Sequence, residues 1–155
     1  MSLTLIPDKC TGCLRCELAC SHIRTGEYAS ARSVVRVAPL QAHTSYAPYM
    51  CPQCESAWCM VACPVQAITL TPSGVKVVQE ADCTGCRLCT IACPFGTMHF
   101  DAQTQKAIKC DTCDGAPACV TACPTQALEW HPEKPFDADP LSQFAAERSG
   151  LGGTP

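Results

Sequence analysis

Sixteen of the 155 residues are cysteine, and they fall into four complete tetrads with none left over. The first, Cys10-x2-Cys13-x2-Cys16-x3-Cys20, is matched in spacing by the third, Cys83-x2-Cys86-x2-Cys89-x3-Cys93. The second, Cys51-x2-Cys54-x4-Cys59-x3-Cys63, and the fourth, Cys110-x2-Cys113-x5-Cys119-x3-Cys123, carry short insertions before their third cysteine. Pro64, Pro94 and Pro124 follow directly on the second, third and fourth tetrads, whereas Ser21 follows the first. Thiolates at this spacing suit iron–sulfur cubanes. Three on a tight loop reach three irons of one cluster, and the fourth, a helical turn further on, points away to ligate a neighbouring cluster. The proline cannot continue a helix and turns the chain out. The expectation is four [4Fe–4S] clusters, with all sixteen cysteines as iron ligands.

Competing cysteine chemistries fit less well. Zinc ribbons also use Cys-x2-Cys pairs, but two per site at longer separations, and they account for neither the Cys-x3-Cys-Pro endings nor four copies. A disulfide framework belongs to an oxidising compartment. The opening residues 1–8 lack the basic, apolar and twin-arginine features of an export signal, so the expected location is cytoplasmic. No apolar run approaches the ~20 residues that span a bilayer, and no direct membrane insertion is expected. A formal net charge of −3 leaves no basic footprint for nucleic acid. Oxidised cubanes held by four thiolates each carry about −2, so four of them would make a mildly acidic chain strongly acidic. No nucleotide fingerprint occurs, and fully ligated clusters leave no open iron for a substrate. The chain reads as a non-catalytic carrier of single electrons, with no catalytic residues of its own.

The elements that must position these cysteines read as short hairpins between cluster loops. Ala67-Ile68-Thr69-Leu70 and Val75-Lys76-Val77-Val78 flank the turn Thr71-Pro72-Ser73-Gly74. Met98-His99-Phe100 and Lys106-Ala107-Ile108 flank a second polar turn. Ser33-Val34-Val35-Arg36-Val37 predicts another strand inside the long segment 21–50, whose Tyr46 and Tyr49 are expected to pack over cluster loops. Gly12 and Gly85 precede the second cysteine of their tetrads, where a missing Cβ lets the backbone approach the cluster. Lys9, Arg15, Arg87 and Lys109 adjoin cluster cysteines in sequence. Each is either a charge that raises a potential or an ordinary solvated one. His22, His43, His99 and His131 are scattered and read as structural or surface residues. From residue 131 the character changes: His131-Pro132-Glu133-Lys134-Pro135 reads as an extended linker. Asp139-Pro140 then starts a short helix, 140–149, with Leu141, Phe144 and Ala145 on one face. The expected division is a cluster domain over 1–130 and a C-terminal arm over 131–155, which either orders on a partner subunit, folds its helix onto its own lobe or ends as a frayed terminus.

These motifs resemble those of the four-cluster, ferredoxin-like electron-transfer subunits that serve molybdenum and tungsten oxidoreductases. Cys51-Pro-Gln-Cys-Glu-Ser-Ala-Trp-Cys-Met-Val-Ala-Cys-Pro is similar to their second motif. Cys83-Thr-Gly-Cys-Arg-Leu-Cys-Thr-Ile-Ala-Cys-Pro-Phe-Gly is similar to their third, and Lys109-Cys-Asp-Thr-Cys to the start of their fourth. The resemblance implies an α+β fold of two tandem bacterial-ferredoxin-like lobes, each binding two [4Fe–4S] clusters, with nested pairing of motif 1 with 4 and motif 2 with 3. It further implies that Cys10, Cys13 and Cys16 join Cys123, and that Cys110, Cys113 and Cys119 join Cys20. Likewise Cys51, Cys54 and Cys59 join Cys93, and Cys83, Cys86 and Cys89 join Cys63. One lobe would comprise residues 1–22 with 106–130, the other 48–105, with 23–47 connecting them. Spacing alone also admits a sequential arrangement, first with second and third with fourth.

The small subunits of carbon monoxide dehydrogenases, formate dehydrogenases, hydrogenases and tungsten aldehyde oxidoreductases look most similar. The opening Cys10-Thr-Gly-Cys-Leu-Arg-Cys-Glu-Leu-Ala-Cys-Ser favours the aldehyde oxidoreductase type. The partners so implied are a catalytic molybdenum- or tungsten-type subunit and a flavin- or nicotinamide-linked subunit or soluble ferredoxin. Self-association of like subunits would extend the electron path. An iron–sulfur redox sensor is the alternative of a different class.

Overall fold

The computed structural model describes residues 2–40 and 45–133. His43 and the greater part of the expected arm, with its helix 140–149, lie outside the described residues. Within them, helices α1 (Arg15–Thr25), α2 (Trp58–Val61), α3 (Leu88–Ala92) and α4 (Ala118–Thr121) alternate with short strands. The strands form antiparallel pairs: β1 (Ser2–Leu5) with β8 (Leu128–His131), and β2 (Arg36–Leu40) with β3 (Ser45–Tyr49). Likewise β4 (Ile68–Leu70) pairs with β5 (Lys76–Val78), and β6 (His99–Asp101) with β7 (Lys106–Ile108). Each sheet is a two-stranded ribbon, which is marginal alone. Packing onto cysteine-rich cores therefore has to hold it.

Helix length follows from one residue type. The proline after each last cysteine lacks an N–H, and it biases the cysteine before it away from helical conformation. Thus α2, α3 and α4 stop after four or five residues. α1 runs for 11 residues because Ser21 stands where the others have proline. Ser21 is fully buried; its hydroxyl donates to the Leu18 carbonyl at 2.9 Å and accepts the Ala29 N–H at 3.0 Å. α1 closes at Gly26, whose φ of 75° is left-handed and whose N–H reaches the His22 carbonyl.

The two expected hairpins form where turn chemistry places them. In the first, the Thr71 hydroxyl accepts the Val75 N–H at 3.1 Å and Gly74 takes a φ of 81°. The strand expected over 33–37 instead begins at Arg36. The Ser33 hydroxyl donates to the Val35 carbonyl and accepts the Val35 N–H, and this local bend sends Val34 and Val35 into the core. β2 then pairs with β3, so the connecting segment ends in a hairpin that packs on the 3-10 turn Pro7–Lys9.

The β1–β8 ladder had no sequence signal, since its strands lie at opposite ends of the described chain. It pairs Leu5 with Leu128 and Ser2 with His131, so His131 closes a strand rather than opening the linker. Leu128 is buried beneath this ladder, which contributes ~1.5–3 kcal/mol. The described residues form two apolar cores. One gathers Cys16, Cys20, Val34, Val35, Met50, Cys110, Cys119 and Leu128. The other gathers Ile68, Cys89, Met98 and Ala107. Cysteines are members of both, so the core and the candidate metal sites are the same residues.

Candidate functional site

The cysteines gather into groups that mix tetrads. Cys51, Cys54, Cys59 and Cys93 line a cavity of about 180 Å³. Cys83, Cys86 and Cys89 share a second, smaller cavity with Cys63. Cys10, Cys13 and Cys16 share a third with Cys123. Of the remaining four, Cys110, Cys113 and Cys119 each lie within the field of Cys20. Each group thus holds three cysteines of one tetrad and the last cysteine of another. The groups also adjoin in a definite order. Cys16, Cys20, Cys110 and Cys119 share one apolar core with Cys51 and Cys123 packed against it, Gln53 bonds the Cys110 carbonyl beside Cys54, and Cys59, Cys83 and Cys93 pack with Cys89 in the other core. From one end the sequence of groups is Cys10, Cys110, Cys51 and Cys83. Cys13 and Cys86, in the two end groups, are the exposed cysteines.

The donor set fits cubanes. Among the described residues no three His, Cys, Asp or Glu side chains converge as a single metal ion requires. The cysteines of three groups line cavities instead, whereas zinc would draw its ligands to about 2.3 Å of one point. Burial pushes the Cys16 and Cys89 thiols up to about 11, and neighbouring thiolates add to it. Burial likewise pushes Cys110 up to about 12 and raises Cys54, Cys59, Cys113 and Cys119. Thiols in such surroundings hold their protons until a cation replaces them.

The last cysteines are treated differently. Burial also pushes Cys93 and Cys123 up, but hydrogen bonds outweigh it and both end below the usual thiol value. The Ala67 N–H donates to Cys63 Sγ at 3.3 Å, the Ala127 N–H donates to Cys123 Sγ at 3.2 Å, and the Thr97 hydroxyl lies 3.5 Å from Cys93 Sγ. The loop after the proline makes this possible. Gln66, Gly96 and Gln126 take left-handed φ values of 53°, 64° and 53° at equivalent positions, turning the following N–H groups back towards sulfur.

Gly12 and Gly85 have left-handed φ values of 70° and 74°. A Cβ on Gly12 would meet the Tyr46 ring at 2.8 Å, and one on Gly85 would meet the Gln105 carbonyl oxygen at 2.3 Å. Close approach is therefore the use of both glycines, and Tyr46 packs over the first cluster loop. Tyr49 lies on the partly exposed strand β3.

Burial separates the four cations that sequence adjacency had grouped. Lys9 is exposed and paired with Glu129 at 3.4 Å. Arg15 is exposed. Arg87 is exposed and lies 3.8 Å over the Phe100 ring. Lys109 is only 3% exposed, and it lines the Cys51 cavity rather than the tetrad it precedes in sequence. His22 stacks on Tyr28, and His131 approaches Glu129. Burial, then Arg36, lowers His99 below the usual imidazole value.

Three buried polar residues had escaped sequence reasoning. Gln53 donates to the Cys110 carbonyl at 2.6 Å and accepts the Lys76 N–H at 2.9 Å. Its position, before the second cysteine of its tetrad, is the one held by Gly12 and Gly85, and this was the available signal. Lys76 is a lone cation in an apolar strand, and its side chain reaches the Gln53 carbonyl. Glu17 accepts the Val37 N–H at 2.7 Å and fastens α1 to β2.

Cysteine-lined cavities with N–H groups aimed at sulfur define an iron–sulfur protein of the ferredoxin type. The chain belongs to the 4Fe-4S dicluster domain family, which it matches over residues 42–132, more than half its length. A 4Fe-4S binding domain matches residues 7–28. With these domains and sixteen cysteines, the protein carries multiple [4Fe–4S] clusters.

It is similar to an iron-sulfur protein of Rhodospirillum rubrum, at 35% identity over 53% of this chain and 46% of that one. It is also similar to formate hydrogenlyase subunit 2 of Escherichia coli, at 38% over 51% and 37%. A third relative is the polyferredoxin-like subunit of an aliphatic sulfonate oxidoreductase of Pyrococcus furiosus, at 35% over 54% and 49%. The matched stretches span about half of these relatives' length or less. In fold it is similar to a chain of the active site complex BamBC of benzoyl coenzyme A reductase with zinc. The TM-score is 0.52 at 23% identity, covering 97% of this chain and 88% of that one. No helix among the described residues is long and apolar enough to cross a membrane.

Proposed function

We propose that this protein is an electron-transfer subunit that relays single electrons through four [4Fe–4S] clusters between a catalytic oxidoreductase subunit and a second redox partner. The single observation that supports this reading best is the succession of four adjoining cysteine groups, with an exposed cysteine in each end group. When bound, the clusters supply one-electron chemistry. The chain's own residues space them and leave an exposed cysteine at each end group. The ligand sets we propose are nested: Cys10, Cys13, Cys16 with Cys123; Cys110, Cys113, Cys119 with Cys20; Cys51, Cys54, Cys59 with Cys93; and Cys83, Cys86, Cys89 with Cys63. Residues 1–130 then form two ferredoxin-like lobes, which the two separate apolar cores support. The arm that follows β8 docks on a partner.

For the catalytic partner we propose a molybdenum- or tungsten-type subunit, with tungsten aldehyde oxidoreductase as the particular form. The support is the opening motif and the names of relatives, which include a formate hydrogenlyase subunit, a sulfonate oxidoreductase subunit and a tetrathionate reductase subunit from Archaeoglobus fulgidus. The electron acceptor or donor at the other end is a flavin- or nicotinamide-linked subunit or a soluble ferredoxin. The setting is cytoplasmic.

The test is anaerobic purification with iron analysis and a redox titration followed by electron paramagnetic resonance. About sixteen irons per chain and several reversible one-electron couples are expected, four irons to each cubane. Substrate turnover by the isolated chain, or zinc in place of iron, would sink the reading. Mo, W and Ni analysis of the co-purified complex identifies the partner class.

A further inference from the structure

Lys76 and Lys109 are the two buried cations of the described chain, at 8% and 3% exposure, and neither has a carboxylate partner among the described residues. Both residues line the cavity shared by Cys51, Cys54, Cys59 and Cys93. The Lys109 ammonium donates to the carbonyls of Lys76 and Cys110, and the Lys76 ammonium to that of Gln53. Neutral carbonyls hold these groups in place without cancelling their charge. A buried charge without a counter-ion is strongly disfavoured. A neighbouring cluster dianion would provide one.

The other groups differ. The cavity shared by Cys10, Cys13, Cys16 and Cys123 is lined by no charged side chain. Near Cys113, Arg24 is matched by Asp111 at 3.6 Å. At the Cys83 group Arg87 is exposed and Lys106, which donates to the Cys83 carbonyl, is only part-buried, so water screens both more than it screens Lys109.

We propose that Lys109, backed by Lys76, is the counter-charge for the cluster held by Cys51, Cys54, Cys59 and Cys93, and raises that cluster's reduction potential. The inference rests on the relay reading. One-electron reduction adds a negative charge to the cluster, so a fixed buried cation favours the reduced form over the oxidised one. Lys109 is therefore a positioned charge that acts through the field and does not ligate.

The test is a redox titration of the cluster-loaded chain and of Lys109→Gln and Lys109→Arg. Cys54→Ser, which alters one ligand, marks the couple belonging to this cluster. Lys109→Gln should shift that couple's reduction equilibrium about tenfold towards the oxidised form, about 59 mV for one electron. Lys109→Arg should restore most of the shift, and the other couples should move less. If Lys109→Gln fails to load iron, Lys76→Gln is read in the same way and must move the same couple in the same direction. An unmoved couple at full iron content overturns the inference, as does an equal shift in the Arg and Gln variants. Absence of reversible couples in the unaltered chain would instead overturn the relay itself, and this inference with it.

Discussion

Among single residues, Gly12 and Gly85 do the same work under different constraint. Both take left-handed φ values, which disfavour any L side chain by ~1–2 kcal/mol. The neighbours then decide. Behind Gly85 stands a backbone carbonyl, that of Gln105, which cannot move without displacing the β6–β7 turn. Behind Gly12 stands the Tyr46 ring, a side chain rather than backbone. Gly85→Ala should therefore destabilise the protein by ~1–3 kcal/mol more than Gly12→Ala and lose iron sooner. Paired thermal melts with iron analysis check this, and equal losses would show that the Gln105 contact relaxes. The need for glycine was legible from its place beside the second cysteine. What fills the space it leaves was not, because Tyr46 and Gln105 arrive from elsewhere in the chain. Lys109 makes the same point. Its adjacency to Cys110 was visible in sequence, yet the side chain turns into the neighbouring cavity.

For the elements, one substitution separates the long helix from the short ones. Ser21 keeps α1 hydrogen-bonded past Cys20, whereas proline ends the equivalent helices. Ser21→Pro should remove a helical hydrogen bond and clash with the preceding turn, a loss of ~3 kcal/mol or more. It should also release the Ala29 N–H from the Ser21 hydroxyl. A drop in helical circular dichroism with faster loss of iron is the expected outcome, and an unchanged spectrum would mean that α1 tolerates the break. The β4–β5 and β6–β7 hairpins were legible because their turns are written locally. The start of β2 was misplaced because the Ser33 hydroxyl competes locally with strand pairing and bends the backbone.

Across the whole molecule, metal loading and protonation are linked. The thiols of Cys16, Cys89 and Cys110 sit well above the ordinary value of 9 when empty, and only thiolates ligate iron. Loading must expel these protons, so its equilibrium improves as pH rises towards the raised values and worsens as pH falls. Iron retained against a fixed chelator should increase between pH 7 and 9. A flat profile would mean that the thiols are already ionised. Loaded clusters also make the protein far more acidic than its formal −3, so association with a redox partner should weaken as salt screens the charge. Co-sedimentation or affinity measured across a salt series checks this, and salt-independent binding would assign the contact to apolar surface instead.

The sequence by itself determined the cofactor chemistry. Three cysteines within a few residues, repeated four times, are a local pattern that no later folding step can rearrange, and the prolines fix where α2, α3 and α4 stop. Tertiary structure alone brought cysteines of different tetrads to one cavity, since that depends on the path of the chain between tetrads. It brought β1 onto β8, set Gln53 as a link between the second and fourth tetrads, and buried Lys109 without a counter-ion while leaving Arg15 and Arg87 in water. Residue type and spacing specify what can bind. Burial and the company of remote side chains specify how strongly each charge is felt.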